Sequence, residues 1–90
     1  MIDWDQRKRQ SNLKKHGFDF VDANEIFDGV TFTYEDDRIA YTEQGCVTLG
    51  SLQGTVVSIV HTEHDDHIRV ISMRKATKRE REIYFQNISN

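Results

Sequence analysis

The C-terminal stretch 69–84 changes its periodicity halfway, and this change constrains the fold more than any other feature of the chain. Its first five residues alternate in character, which predicts a β-strand with Val70 and Ser72 on one side and the other three side chains on the opposite side. Thr77 and Glu80 then have the spacing of a capping box, in which each side chain bonds the backbone at a helix start. The sequence therefore predicts a last strand that leads directly into a C-terminal helix.

The same stretch is basic, although the formal net charge of the chain is −3. Counting Lys and Arg against Asp and Glu gives +3 for residues 1–17, −7 for 18–43, −3 for 44–67 and +4 for 68–90. A local excess of cations suits a polyanion such as RNA. Two basic ends flank an acidic middle, so the function depends on whether the two ends meet in space.

Length and composition predict one small domain spanning residues 1–90. No apolar run approaches the length of a membrane-spanning helix, and no charged-then-apolar leader begins the chain, so we expect a cytoplasmic protein without membrane contact. Cys46 is the one cysteine, which excludes a disulfide framework. A buried apolar role is favoured for it over a nucleophilic one.

The N-terminal segment predicts an edge strand followed by a polar helix. Residues 1–4 are apolar at alternate positions. Asp5 is a favourable N-cap for a helix over about 6–16, which Gly17 ends. Lys8, Asn12, Lys15 and His16 share one face of that helix, either as a solvated surface or as a surface that contacts nucleic acid.

The middle of the chain predicts a second helix and an antiparallel meander. Asp19 caps a helix that buries Phe20, Ala23 and Phe27 and ends at Gly29. The remaining segments are predicted as strands over 30–34, 46–49, 55–60 and 68–73, with a solvated charged loop at 35–38, a glycine-bounded hairpin at 50–54 and a polar turn at 61–67. The expected fold class is thus α+β, with N-terminal helices, an antiparallel sheet and a C-terminal helix.

The polar turn 61–67 contains three histidines and three acidic residues, which are possible ligands for zinc or a harder divalent ion. All of them lie in one short segment, and no second group of ligands has a recognisable spacing elsewhere. A solvated hairpin tip is therefore favoured. No metal ligand and no cofactor are assigned.

A second constellation combines basic residues with groups that transfer protons: Lys8, Lys15, His16, Arg69, Arg74, Arg79 and Tyr84. Metal-free RNA cleavage uses the substrate's own 2′-hydroxyl as the nucleophile. The protein then has to move two protons and stabilise the extra charge on the phosphate. Guanidinium groups perform the second task well, because they span two phosphate oxygens and stay charged.

These motifs resemble the BrnT family, the toxins of BrnT–BrnA type II toxin–antitoxin pairs. The resemblance covers nearly the whole chain and rests on four segments: Trp4-Asp5-x-x-Lys8-x-x-x-Asn12-x-x-Lys15-His16-Gly17, Phe20-x-x-Ala23-x-x-x-Phe27, Gly50, and Arg69-x-Ile71-Ser72-x-Arg74-x-Ala76-x-x-x-Glu80-x-x-x-Tyr84. It implies a RelE-like fold and a ribonuclease that arrests translation and growth. It also implies neutralisation by a BrnA-like ribbon-helix-helix antitoxin, through which alone the toxin reaches DNA.

The resemblance and the residue chemistry together give a set of site predictions. Arg69 and Arg74 are expected to neutralise the scissile phosphate, and His16, with Lys8 nearby, to transfer protons. Tyr84 is a further candidate for proton transfer, and flanking phosphates are assigned to Lys15, Lys75, Lys78 and Arg79. Because these residues come from both ends of the chain, the N-terminal helix has to pack close to the 69–84 junction.

The chain departs from the family pattern at one position of the central strand. The family commonly has an arginine shortly before the glycine there, and in this chain that place is taken by Gly45. The departure favours an alternative hypothesis, a non-catalytic or weakly active module that binds its antitoxin. A metal hydrolase that uses the turn 61–67 is a third hypothesis.

Overall fold

The computed structural model describes residues 1–36 and 45–89. The elements are, in chain order, β1 (Ile2–Trp4), α1 (Gln6–His16), a 3₁₀ turn (Phe20–Asp22), α2 (Ala23–Asp28), β2 (Thr31–Glu35), β3 (Gly45–Leu52), β4 (Thr55–His64), β5 (His67–Lys75) and α3 (Lys78–Ile88). The α+β fold class is confirmed. Of the predicted loop 35–38, Glu35 is instead the last residue of β2, and residues 37–38 lie outside the described residues. None of the described helices has the length and apolar character needed to cross a membrane.

The five described strands form one sheet in the order β1-β5-β4-β3-β2. β2 to β5 pair in antiparallel fashion, whereas β1 runs parallel to β5 and pairs with its residues 68–70. The sheet is therefore mixed, and the expectation of a purely antiparallel sheet was wrong at β1. More than sixty residues separate β1 from β5, a connection long enough to return the chain in the parallel direction.

The predicted helix caps are confirmed at both ends of the chain. Asp5 accepts from the backbone amides of the first turn of α1, and Gly17 ends that helix with φ 78°. Thr77 and Glu80 form the reciprocal capping box of α3. Asp19 also caps the backbone as expected, but the element that follows is a 3₁₀ turn before it becomes α2.

The two hairpin turns are shorter than the sequence suggested. β3 continues through Gly50 to Leu52, and the turn consists of Gln53 and Gly54, both with positive φ. Gly50 is a strand residue, and the position needs a glycine because a Cβ there would lie 2.5 Å from Cγ2 of the buried Ile26. At the next turn, β4 extends to His64, which contradicts the solvated turn predicted for 61–67.

A β-bulge interrupts the pairing of β4 with β5. Ser72 is paired with Val60, and the next pair joins Val70 to His61, so Ile71 is an extra residue on β5. Val70 and Met73 consequently lie on the same face of the sheet, where both are fully buried. The regular alternation predicted for residues 69–73 was wrong for this reason.

Each face of the sheet carries its own apolar cluster. On one side, which we call the α2 face, the cluster is Phe20, Ala23, Ile26, Leu52, Val57, Ile59, Val70 and Met73. On the opposite side, which we call the α3 face, it is Val47, Leu49, Val56, Ala76 and Tyr84. β5 contributes Val70 and Met73 to the first cluster, while Arg69 and Arg74 lie on the opposite side.

Candidate nucleic-acid interface along β5

Arg69 lies near the start of β5 and shares an aspartate with a histidine. It is paired with Thr62 on β4 and with Asp3 on β1. Its Nη2 lies 3.4 Å from Oδ2 of Asp3, and Nε2 of His67 bonds the same oxygen. The Arg69 side chain is 52% exposed. A guanidinium and a carboxylate-bound imidazole thus stand side by side on the surface.

Arg74 lies near the other end of β5, paired with Ser58, and is bound by α3. Its Nη1 and Nη2 donate to the two carboxylate oxygens of Glu80 at 2.7 and 2.9 Å, and Nη1 also donates to the Lys75 carbonyl at 3.3 Å. A guanidinium has five N–H donors, so Nε–H and one Nη2–H take no part in these bonds. The pair holds the guanidinium in one orientation.

Glu80 is a structural partner of Arg74. Its carboxylate accepts from the Thr77 amide at 2.8 Å and from the Ser58 hydroxyl at 3.4 Å, besides the two bonds from Arg74. Burial raises the pKa of Glu80, but the hydrogen bonds from Arg74 and Thr77, with the charge of Arg74, outweigh it and leave the pKa lowered. Hydrogen bonding to Glu80 raises the pKa of Arg74.

The bulge at Ile71 places both arginines on the α3 face. Five positions separate Arg69 from Arg74, an odd number that would put them on opposite faces of a regular strand. Arg74 lies next to Ser58 and Glu80 of the α3 side. Arg69 is paired with Thr62, two residues beyond Val60, whose side chain packs against the α3 cluster.

The N-terminal helix packs beside β5, as the site predictions required. A groove of about 270 Å³ runs between the two elements, lined by Lys8, Ser11, Asn12, Lys15, His16, Ile71 and Ser72. His16 and Lys8 therefore share a groove with Ser72, two residues before Arg74. The basic ends of the chain meet at this strand.

Asn12 departs from the exposed cationic surface proposed for α1. It is 7% exposed, and its side-chain amide bonds the backbone N–H of Met73 at 3.0 Å and the carbonyl at 2.9 Å, as well as the Phe18 carbonyl at 3.1 Å. β1 pairs only with residues 68–70 of β5. Asn12 thus supplies hydrogen-bond partners to the edge of β5 beyond the end of β1, and it fixes α1 beside that edge.

The cations assigned to flanking phosphates are dispersed. Lys78 and Arg79 are exposed in the first turn of α3. Lys75 lines a different groove, of about 340 Å³, beside the β3–β4 turn, with Arg81 and Phe85. Only Lys15 of this group lines the groove with His16.

Tyr84 is a core residue. It is 4% exposed, packs in the α3 cluster, and its hydroxyl donates to the Val30 carbonyl at 2.9 Å. A buried hydroxyl with this partner does not reach a substrate on the surface of β5. The proton-transfer role considered for Tyr84 is not retained.

Gly45 lies in line with Arg69 across the sheet. It is paired with Thr62, which is paired in turn with Arg69. An arginine at position 45 would therefore stand on the same face as Arg69, two strands away. The departure from the family pattern falls within the candidate interface.

Two residues of this interface escaped the sequence analysis, namely Asp3 and His67. A cleft of about 560 Å³ lies beside His67 and Arg69 and is also lined by Met1, Thr62, His64, Asp65 and Asp66. Asp3 points to the same face as Arg69 because the two residues are directly paired between β1 and β5. The apolar alternation of residues 1–4 predicts an edge strand, but it does not show that β5 is the neighbouring strand.

A possible set of metal ligands lies on the α2 face instead. Cys46 and His61 are paired across β3 and β4, and Glu63 follows two residues later. One ligand atom from each residue lies within 4.8 Å of the other two. The turn that the sequence suggested as a metal site contributes only its first and third residues.

The family model described as the ribonuclease toxin BrnT of type II toxin–antitoxin systems matches residues 4–80. The matched segment includes α1, β5 and the capping box of α3. No curated protein matches the chain.

Proposed function

The chain belongs to the BrnT family of ribonuclease toxins, and we propose that it cleaves RNA along the α3 face of β5 without a metal ion. Membership of a type II toxin–antitoxin family implies an antitoxin partner. The observation that carries the proposal is the meeting of the two basic ends at one strand. Arg69 and Arg74 lie on one face of β5, and the α1 groove opens between them.

The scissile phosphate is assigned to the surface above Ser72. With roughly 3.3 Å per strand residue, the two arginines are about 15 Å apart along β5, with Ser72 between them. Glu80 holds Arg74, and two N–H donors of that guanidinium take no part in its hydrogen bonds to described residues. Among the described residues, Arg69 makes one hydrogen bond, of 3.4 Å to Asp3, which a phosphate could replace.

Proton transfer is assigned to His16, with Lys8 beside it in the groove next to Ser72. One group has to remove the proton of the 2′-hydroxyl and another has to protonate the leaving 5′-oxygen. His67 is the second imidazole beside this strand, and the Asp3 carboxylate orients it. Lys15 binds a flanking phosphate from within the groove. Lys75, Lys78 and Arg79 attract the rest of the RNA chain.

The test is cleavage of a single-stranded RNA by the purified protein in the presence of EDTA. Loss of one group that stabilises transition-state charge typically costs about 10²–10³ in rate, and we expect this for Arg69→Ala. Arg81→Ala is the matched control, because Arg81 lies in the groove beside the β3–β4 turn. Equal losses in both variants, or cleavage that EDTA abolishes, would contradict the proposal.

The two histidines are distinguished by the pH dependence of cleavage. His16→Ala should remove one limb of the rate profile, since that limb reports the proton that His16 moves. If only His67→Ala removes a limb, His67 replaces His16 in this role. A profile unchanged in both variants would exclude histidine as the proton-transfer group.

Gly45 favours a second candidate function, a toxin-like module that binds its antitoxin with little cleavage. No side chain projects from position 45, in line with Arg69. Under this hypothesis the wild-type protein does not arrest growth when expressed, whereas Gly45→Arg does. If the wild type arrests growth and Arg69→Ala does not, with both proteins folded and able to bind the partner, the enzyme hypothesis holds.

The partner is proposed to be a BrnA-like ribbon-helix-helix antitoxin, and the pair to act in the cytoplasm. The toxin would reach DNA only through that antitoxin. Operator DNA should therefore shift in a gel with the complex and not with the toxin alone. A shift with the isolated toxin would overturn this part of the proposal.

A further inference from the structure

We propose that Cys46, His61 and Glu63 form a zinc site on the α2 face of the sheet, separate from the RNA-binding face. The three residues offer a thiol, an imidazole and a carboxylate, with one ligand atom from each within 4.8 Å of the other two. Zinc accepts all three donor types, with bond lengths of about 2.0–2.3 Å. The proposal does not depend on ribonuclease activity.

The orientation of His61 is the strongest evidence for the site. Its side chain is fully buried, and Nδ1 has no hydrogen-bond partner among the residues that the structure describes. The nearest carboxylate oxygen, Oε1 of Glu63, lies 3.9 Å away. A buried polar atom without a partner costs free energy, typically about 1–3 kcal/mol, so such atoms are rare in native proteins. A metal ion bound to Nδ1 would satisfy it.

The opposite ring nitrogen of His61 has the partner that a metal-bound histidine needs. Nε2 lies 2.7 Å from the Thr48 hydroxyl, which lies 2.6 Å from the Thr33 hydroxyl. If Thr48 donates to Thr33, it accepts from Nε2–H, and the lone pair of the ring is then on Nδ1. The Phe27 ring packs edge-on against the imidazole at 5.3 Å and fixes its plane. Such partners orient the ligand in natural metal sites.

The charges around Cys46 favour a cation. Burial raises the pKa of the Cys46 thiol, and the carboxylates of Glu63 and Glu35 raise it further. The negative potential that disfavours a bare thiolate attracts Zn²⁺. Burial also lowers the pKa of His61 to about 4, so its imidazole is neutral at pH 7 and ready to bind.

The ligand positions suit closure around one ion. Cys46 and His61 are held by directly paired strands, whereas the Glu63 side chain is about half exposed and lies 3.9 Å from Nδ1 of His61. The exposed carboxylate also provides the entry path. The ion would join β3 to β4 and leave a fourth position for water, with Glu35 paired next to Cys46 on β2.

The experiment is titration of the chelator-treated full chain with Zn²⁺, and with Co²⁺ as a spectroscopic probe. We expect one equivalent to bind, the thermal midpoint to rise, and Co²⁺ to give a thiolate charge-transfer band. Cys46→Ser should abolish the band and weaken binding by more than about 100-fold, because changes of ligand-orienting neighbours alone cost 10–100-fold. Glu63→Gln should weaken binding at least tenfold, and its exposed position preserves the fold.

His64→Gln is the matched control, because His64 is an exposed histidine at the end of the same strand. Its affinity should equal that of the wild type. The proposal is overturned if Zn²⁺ does not bind, if the thiolate band persists in Cys46→Ser, or if His64→Gln loses as much affinity as Glu63→Gln. Near-ultraviolet spectra of each variant show that a loss of binding is not a loss of fold.

Discussion

The two faces of the sheet differ in the kind of residue that β5 supplies to them. On the α2 face the strand supplies Val70 and Met73, both fully buried among apolar neighbours. On the α3 face it supplies Arg69 and Arg74, each held by a carboxylate from another element. Neighbouring residues of one strand thus serve stability on one face and, in the proposed function, substrate binding on the other. Substitutions on the first face should change unfolding, and substitutions on the second should change the handling of RNA.

The largest change in the free energy of unfolding is expected at Asn12. The sequence places this residue on the cationic face of α1, but its side chain is buried against the edge of β5. Asn12→Ala removes three hydrogen bonds and leaves the N–H and C=O of Met73 without a partner. We expect a loss of about 3–4 kcal/mol in the free energy of unfolding, from penalties of about 1–3 kcal/mol per unsatisfied group. Urea denaturation measures it. Ser11→Ala, one residue earlier and exposed, should change stability little.

The second effect is a pH dependence of the free energy of unfolding. The pKa of His61 is about 4 in the folded protein because burial disfavours the charged imidazole, and about 6.5 in the unfolded chain. Between these values the unfolded chain binds more protons, so stability is complete above pH 6.5 and falls as the pH drops towards 4. The total loss is on the order of 3 kcal/mol.

This pH dependence is measured by urea denaturation at pH 7, 6 and 5 in the presence of a chelator. His61→Gln should flatten the slope over that window, whereas His64→Gln should keep it. The carboxylates with a lowered pKa, Asp19 and Glu80, lose their stabilising effect at lower pH. A slope unaffected by His61→Gln would assign the titration to another group.

The third effect tests how tightly the α2 face is closed. A methyl group added at Gly50 would lie 2.5 Å from Cγ2 of Ile26 and 3.2 Å from Cγ2 of Thr31. Both atoms belong to β-branched side chains with little freedom to move, so Gly50→Ala should destabilise by about 1–3 kcal/mol. The control is Gly29→Ala, where the nearest atom lies 3.6 Å away. Equal thermal midpoints for the two variants would show that the α2 face tolerates the extra volume.

The smallest effect is expected on the proposed RNA-binding face. Lys15 lines the α1 groove and is exposed. Lys15→Ala should leave stability unchanged and reduce the salt dependence of RNA binding by about 0.7 in the slope of log affinity against log salt, the contribution of one phosphate contact. Lys14→Ala is the matched control, because Lys14 does not line the groove. Identical slopes for both variants would place the RNA elsewhere.

Local chemistry explains which parts of the fold were predictable. Asp5, Gly17, Thr77 and Glu80 act within one helical turn of their own positions, so their spacing alone identifies the ends of α1 and α3. Burial of Cys46 was also expected and is confirmed, at 4% exposure. These predictions needed no knowledge of which strands are neighbours.

The features that sequence analysis missed all depend on pairing between distant segments. Asp3 and His67 meet only because β1 lies parallel to β5. His61 looked solvated among polar neighbours, yet a fully buried position follows from its pairing with Cys46. Asn12 looked like part of a polar surface because its partner, the backbone of Met73, has no sequence pattern at all.

The bulge at Ile71 shifts by one residue the alternation that places successive side chains of β5 on the two faces of the sheet. Before it, odd-numbered residues such as Arg69 belong to the α3 face; after it, even-numbered ones such as Arg74 do. Deleting this single residue would restore one phase throughout and send one arginine to the wrong side, with every charge still present. The length of the strand is therefore as important to the proposed RNA-binding surface as the side chains on it.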